Sequence, residues 1–443
     1  MSNDNDNNKD FIDMRDEGSR GAIPPEQQAP HHAPTPVSTG SGEPPRKRRR
    51  MPGWVIALLF LGIGLAVGLS NFNFNFNFGG GRDVGFIRQA SDRDLTNLTL
   101  DVSEVNGINV RLGIDSINVE THNGRDIRVV YEPARTGSVI RPIYNFNERT
   151  GQLEIFTESN LVIGINNTRA GSLRIYLPDE SILSDLTLRT STGSINVAMQ
   201  STASSLADNV SLHSTTGRIN AMRVSAGSFS ASSTTGRIEL HVIESDNNLT
   251  ASSTTGNIDG TNLTAGRNMS VTATTGRISL VNAGAEGDGE FRSTTGNINL
   301  SSSIVRDFNN VTINASTGRI TASDFNANSV NIRSTTGNIN VDRIDTASDF
   351  TASASTGRIE ANGIRANMLQ FTTTTGNISL DNGSTANNAS FQASTGRVNL
   401  SNTEIRGVLD VRTTTGNVNL TRVDTDMNRA NITTNRTANV TIN

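Results

Sequence analysis

A Thr-Gly step returns along this chain at near-constant spacing, and it restricts the possible folds more tightly than any other feature. Its glycines are Gly193, Gly217, Gly236, Gly256, Gly276, Gly296, Gly318, Gly337, Gly357, Gly376, Gly396 and Gly416. Successive intervals are 24, 19, 20, 20, 20, 22, 19, 20, 19, 20 and 20 residues. Self-similarity at such a period marks a repeat architecture in which each unit rests chiefly on its neighbours.

Around each glycine the apolar residues alternate. Leu186/Leu188, Val210/Leu212, Met269/Val271, Val311/Ile313, Val330/Ile332 and Leu409/Val411 precede it by seven and five positions. Ile195/Val197, Ile238/Leu240, Ile278/Leu280, Ile298/Leu300, Ile339/Val341 and Val418/Leu420 follow it by two and four. Period two on both sides predicts two short strands, each with one buried face, joined at the glycine. Val224, Leu263, Phe325, Ile344, Ile364 and Val423, seven places past the glycine, predict a third buried edge. A positive φ at the corner would suit Gly. The preceding Thr hydroxyl is expected to bond corner backbone or the next Thr. Small residues three before the glycine (Ser233, Ala273, Ala315, Ala354) would let the corner close. One such unit buries too little to offset its ordering entropy, so stability must come from stacking. The expectation is an all-β, parallel β-solenoid, one coil of about 20 residues per repeat, with strands about 4.8 Å apart.

Composition agrees: 34% of residues are apolar, 5% aromatic and 18% charged, with a net charge of -4. Near-neutral charge gives no reason to expect nucleic acid as a partner. The absence of cysteine excludes disulfides, zinc-thiolate sites and cysteine nucleophiles.

The amino-terminal part has a different character. Residues 1–50 read as a disordered cytoplasmic tail, rich in Asn, Asp and Pro. Arg46, Lys47, Arg48, Arg49 and Arg50 abut an uncharged run from Gly53 to Leu69, with Trp54 at its interfacial edge. Residues 51–70 are therefore expected to form one transmembrane helix, the basic cluster holding the amino terminus in the cytoplasm and the solenoid outside. A cleaved signal peptide is the alternative. Residues 71–90 are a Phe/Asn and Gly linker. Phe72, Phe74, Phe76 and Phe78 make either an interfacial collar or a plain spacer. Residues 91–180 are strand-like but irregular, and are expected to supply the first, wider coils and close the near end. Residues 181–443 form the repeat solenoid, whose last stretch, "ANITTNRTANVTIN", suits a capping coil.

The segments "LTLDVSEVNGINV" and "LRIYLPDESILSDLTLRTSTGSINV", with the recurring T-G-[RN]-I steps, resemble the bacterial putative-adhesin family of β-strand repeat domains, whose function is largely uncharacterised. The resemblance covers about residues 95–443. It implies a solenoid-like β fold, an envelope or surface location, and no established catalytic residues; no cofactor is expected.

The residues themselves offer little chemistry. An enzymatic solenoid needs clustered outward carboxylates. In the column three places after the glycine only Glu239 and Asp259 are neighbours, with His241 nearby and Arg237 and Arg277 flanking them. A solvated face of charge pairs accounts for them, and no metal spacing exists among the five histidines. Adjacent rather than alternate Thr argues against an ice-binding face. The exposed Asn, Ser, Thr and Arg suit multivalent contact with cell-wall glycan or a surface protein. Adhesion without catalysis is the leading expectation. An envelope-stress sensor or scaffold signalling through the tail is the alternative, and a carbohydrate-active enzyme comes third.

The residue after the glycine alternates: Arg237, Asn257, Arg277, Asn297, Arg319, Asn338, Arg358, Asn377, Arg397, Asn417. Stacked coils would align these side chains in a surface column. Arginines in every coil would repel by roughly 3–4 kcal/mol at an effective dielectric near 20, and skipping a coil halves this. The alternation thus reads as spacing of like charge, as duplication of a 40-residue two-coil unit, or as both.

Overall fold

The computed structural model describes residues 95–443 except 136–140, 158–169, 180–182, 203–204, 303–306 and 436–438. The expected helix over 51–70, the tail, the linker and the topology residues from Arg46 to Trp54 lie outside the described residues. No helix among the described residues is long and apolar enough to cross a membrane.

The repeat region is a parallel β-solenoid. Strands two elements apart pair in parallel, as in Leu249–Thr255 with Met269–Thr275 and Ile258–Ala265 with Ile278–Ala285. The apolar positions named from sequence before and after the glycine are all buried. The third edge is buried at Val224, Leu263, Phe325, Ile344 and Ile364, while Val423 in the last full coil is only partly covered. Rings stack inside: Phe291, Phe308 and Phe325 follow one another edge to face at 6.0 and 6.1 Å, and Phe350, Phe371 and Phe391 at 5.8 and 5.5 Å. These separations fall in the favourable range for T-shaped pairs.

The third edge depends on a second corner. Six residues after the Thr-Gly glycine, in ten of the twelve coils, a single residue adopts the left-handed conformation; Met199 and Ser302 are the exceptions. Nine are not glycine: Arg223, Val242, Asn262, Asn282, Asp324, Arg343, Asn382, Asn402 and Arg422, at φ between 48° and 62°. One such residue breaks the period of two, so the position seven after the glycine turns inward. Asn and Asp tolerate this conformation better than other side chains. Amides link the column between coils, as from Asn282 Nδ2 to Asn262 Oδ1 at 3.0 Å.

Positive φ is only part of the reason for the Thr-Gly glycines. It is seen at Gly296, Gly318, Gly337, Gly357, Gly376, Gly396 and Gly416, between 148° and 153°. Common to all twelve is a close approach: a Cβ would overlap backbone of the preceding coil, the carbonyl of Asp115 at Gly193 and that of the preceding corner glycine elsewhere. The corner closes because successive Cα atoms sit directly against carbonyls.

The hydroxyl that bonds this corner is not that of the Thr before the glycine, which is exposed and contributes its backbone carbonyl to the next ladder, as in Gly276 N to Thr295 O at 2.9 Å. It is the buried Ser or Thr three before the glycine. Ser293, Thr373 and Thr413 donate to the carbonyls of Gly276, Gly357 and Gly396 in the preceding coil at 3.2, 3.1 and 3.1 Å.

The near end departs from the expectation of wider leading coils. Strands β1 (Asn97–Asp101), β2 (Gly107–Leu112), β3 (Ser116–His122), β4 (Asp126–Glu132), β5 (Ile143–Asn147), β6 (Gln152–Phe156), β7 (Ser172–Pro178), β8 (Leu183–Thr190) and β9 (Ile195–Ala198) are stacked out of sequence order. β2 lies in parallel between β6 and β8, and β3 between β7 and β9. The coil that comes first in the chain is thus second in the stack. β5 then pairs antiparallel with β6, β4 with β7, and β1 with β4. These antiparallel strands use up ladder groups that a parallel stack would leave open at its end. Beyond the last Thr-Gly unit, Asn431–Thr433 and Val440–Ile442 continue the ladders, with Val440 and Ile442 exposed.

Candidate functional site

The alternating column has a physical basis that charge counting missed. Asn257, Asn297, Asn338 and Asn377 each accept, through Oδ1, the backbone N–H of the arginine in the following coil: Arg277 at 2.9 Å, Arg319 at 2.9 Å, Arg358 at 3.0 Å and Arg397 at 2.9 Å. Asn417 accepts from Asn439 at 3.2 Å in the same way. Each asparagine stands in for the corner glycine's carbonyl, which is directed at the next glycine. From Gly276 onward the position three before the glycine alternates in phase. Arg coils carry Ala273, Ala315, Ala354 and Ala393, whereas Asn coils carry Ser293, Ser334, Thr373 and Thr413. The coils of Asn297, Asn338, Asn377 and Asn417 therefore grip both neighbours, by a hydroxyl on one side and an amide on the other.

The arginine column Arg237, Arg277, Arg319, Arg358 and Arg397 faces solvent. Arg237 reaches Glu239 at 3.1 Å and Asp259 at 3.6 Å, Arg277 reaches Asp259 at 2.8 Å, and Arg358 reaches Glu360 at 2.5 Å. Arg218 adds a contact to Glu239 at 3.6 Å. Glu239 and Asp259 are register partners in adjacent strands, and each is held by guanidinium groups on two sides. Such a pair offers no free general acid or base, and His241 beside it is exposed. No group of three or more metal-ligating side chains occurs among the described residues.

Elsewhere a carboxyl is buried and an imidazole half-buried. Asp115, at the β2–β3 corner, accepts from Gly171 N at 2.5 Å and Tyr131 Oη at 3.3 Å. Burial pushes its carboxyl above the ordinary range, against the pull of those two hydrogen bonds. His213 contacts Ser232 Oγ at 2.8 Å. Burial holds its imidazole below the ordinary range, and the Arg189 charge adds to this.

The feature that sequence reading missed is a groove along the second corner, with a volume of about 1010 Å³. It is lined by the left-handed column from Asp324 to Arg422 and by residues two further on, including Asp345, Arg365 and Ser384. Arg343 pairs with Asp324 at 2.6 Å and Arg365 with Asp345 at 2.7 Å. The middle, at Gly363, Asn382, Gly383 and Ser384, is uncharged. The signal was present in the sequence as a lone glycine in the column six after Thr-Gly, but its meaning needed the concave corner.

No curated protein matches the chain. Among solved structures, a crystal structure of a "putative cell adhesion protein" from Clostridium sporogenes aligns at 13% identity, covering 56% of this chain and 98% of that one, with a TM-score of 0.23. The Toastrack DUF4097 family model matches residues 105–308 and 305–438, which together are most of the chain and nearly all of the solenoid, and the chain is thereby a member of the Toastrack DUF4097 family.

Proposed function

We propose that this chain is a non-catalytic adhesion or surface-contact protein, anchored in the membrane by residues 51–70 with its solenoid outside the cell. The observation that carries the reading is the chemistry of the exposed faces. They present repeated columns of amide, hydroxyl and guanidinium, and the neighbouring carboxylates Glu239 and Asp259 are tied up in ion pairs. A repeated polar face suits many weak contacts with cell-wall glycan or a surface protein, where repetition supplies avidity. The basic run Arg46–Arg50 before the uncharged stretch supports the orientation.

Two measurements test it. Protease added to intact cells should remove the solenoid and spare the tail, and cells displaying the full chain should attach to cell-wall or host surfaces more than cells lacking it. Protection of the solenoid from protease, or unchanged attachment, would sink the reading.

A further inference from the structure

Gly363 is the single glycine in a column where nine other coils place a side chain in the same left-handed conformation. Packing does not demand it. The three atoms nearest a Cβ there all belong to Arg343, at 3.5 Å or more, an ordinary contact. Gly363 lies midway along the groove described above. The groove follows the solenoid axis from Ser302 to Arg422, equivalent positions in seven successive coils. Six steps of about 4.8 Å make it roughly 29 Å long. Its volume of about 1010 Å³ spread over that length is a narrow channel, suited to a single extended chain. At one end Ser302, 5% exposed, carries a buried hydroxyl with no hydrogen-bond partner among the described residues.

The lining distinguishes between kinds of chain. A peptide adding as a strand needs a free sheet edge, but here the strands beside the left-handed residues are already paired from coil to coil, as Asn326 with Asp345 and Ser384 with Arg365 and Glu404. A peptide helix needs an apolar trough and a proline-rich peptide needs aromatic walls, yet the one lining aromatic, Phe325, is 5% exposed. A polyanion would meet five carboxylates (Asp307, Asp324, Asp345, Glu404 and Asp424) against three guanidiniums, of which Arg343 and Arg365 are already paired with Asp324 and Asp345. What remains is a partner rich in hydroxyl or acetamido groups, matched to the side chains of Asn382, Asn402 and Ser384 over a floor left bare by Gly363 and Gly383.

We propose that this groove binds a neutral oligosaccharide laid parallel to the solenoid axis, with Gly363 and Gly383 as the floor of its central subsites. The proposal deepens the surface-contact reading and rests on it only for the source of the glycan. The purified full chain is to be titrated with cellotetraose, chitotetraose and a wider set of neutral oligosaccharides by calorimetry, alongside polygalacturonate and a peptide library. Gly363→Asn, which keeps a residue type found in this column, and Ser384→Tyr, an outward substitution, both fill the channel. At least one neutral oligosaccharide should bind, and each variant should weaken it tenfold or more with the melting temperature held. Absence of neutral-oligosaccharide binding, equal binding by both folded variants, or preference for peptide or polyanion overturns the proposal. Cell attachment is scored separately. Attachment that survives both substitutions removes the groove and leaves adhesion standing, whereas oligosaccharide binding without attachment does the reverse.

Discussion

Replacing Asn297, Asn338 and Asn377 together by alanine separates two explanations of the alternating column. Each asparagine receives one backbone N–H from the next coil, at 2.9, 3.0 and 2.9 Å. Losing such an acceptor costs about 0.5–1.5 kcal/mol per site. The three sites are two coils apart, about 9.6 Å, far enough for the losses to add to roughly 1.5–4.5 kcal/mol. A stacked array need not unfold in one step, so a global midpoint would blur this. Amide hydrogen exchange of Arg319, Arg358 and Arg397 reads each corner directly. A loss of about 1 kcal/mol should speed exchange about fivefold at each of those amides, at low and high salt alike. If the asparagines only keep arginines apart, alanine does that as well, and protection should not change. Unchanged exchange in the alanine triple, together with salt-sensitive loss when the same positions become arginine, would refute the hydrogen-bond account and restore the electrostatic one.

Other outcomes follow from single residues. Val242 is β-branched and held at φ 56°, so Val242→Asn should stabilise by about 1 kcal/mol, read as a higher urea midpoint for its coil. Gly276→Ala would drive a Cβ into the Gly256 carbonyl, costing about 3 kcal/mol or more, with melting of adjacent coils first; an unchanged melt would mean the corner can open. Asp115 has a carboxyl raised chiefly by burial. The unfolded chain therefore ionises first, and Asp115 costs stability as pH climbs above the ordinary 3.8. Asp115→Asn should raise stability near neutral pH and flatten that limb in melts taken across pH. His213 behaves oppositely. Its lowered pKa means stability is lost as pH falls below 6.5, and His213→Gln should remove that loss.

Period-two alternation about an invariant Thr-Gly step was enough to place the coil, its buried faces and its first corner, because burial of alternate side chains is written directly into residue type. The second corner was only half legible. Val224 and Leu263 announced an inward position at the wrong parity, but the left-handed residue before each was visible only where it was Asn or Asp; Arg223 and Val242 gave no hint. The near end was illegible for a different reason. Placing β2–β3 between β6–β7 and β8–β9 depends on which ladder edge each strand finds, and alternation is the same for either neighbour. The arginine column shows the third kind of limit. Its side chains were assigned to the surface, and charge was the obvious variable there, yet the repeated constraint lies in the backbone. A corner glycine packed against the next coil leaves the following N–H in want of an acceptor. One coil can supply an amide for its neighbour, and the neighbour is then free to carry arginine. With the hydroxyl of Ser293, Thr373 or Thr413 reaching the other way, an Asn coil serves two corners at once. The physical repeat of this part of the solenoid is therefore the pair of coils.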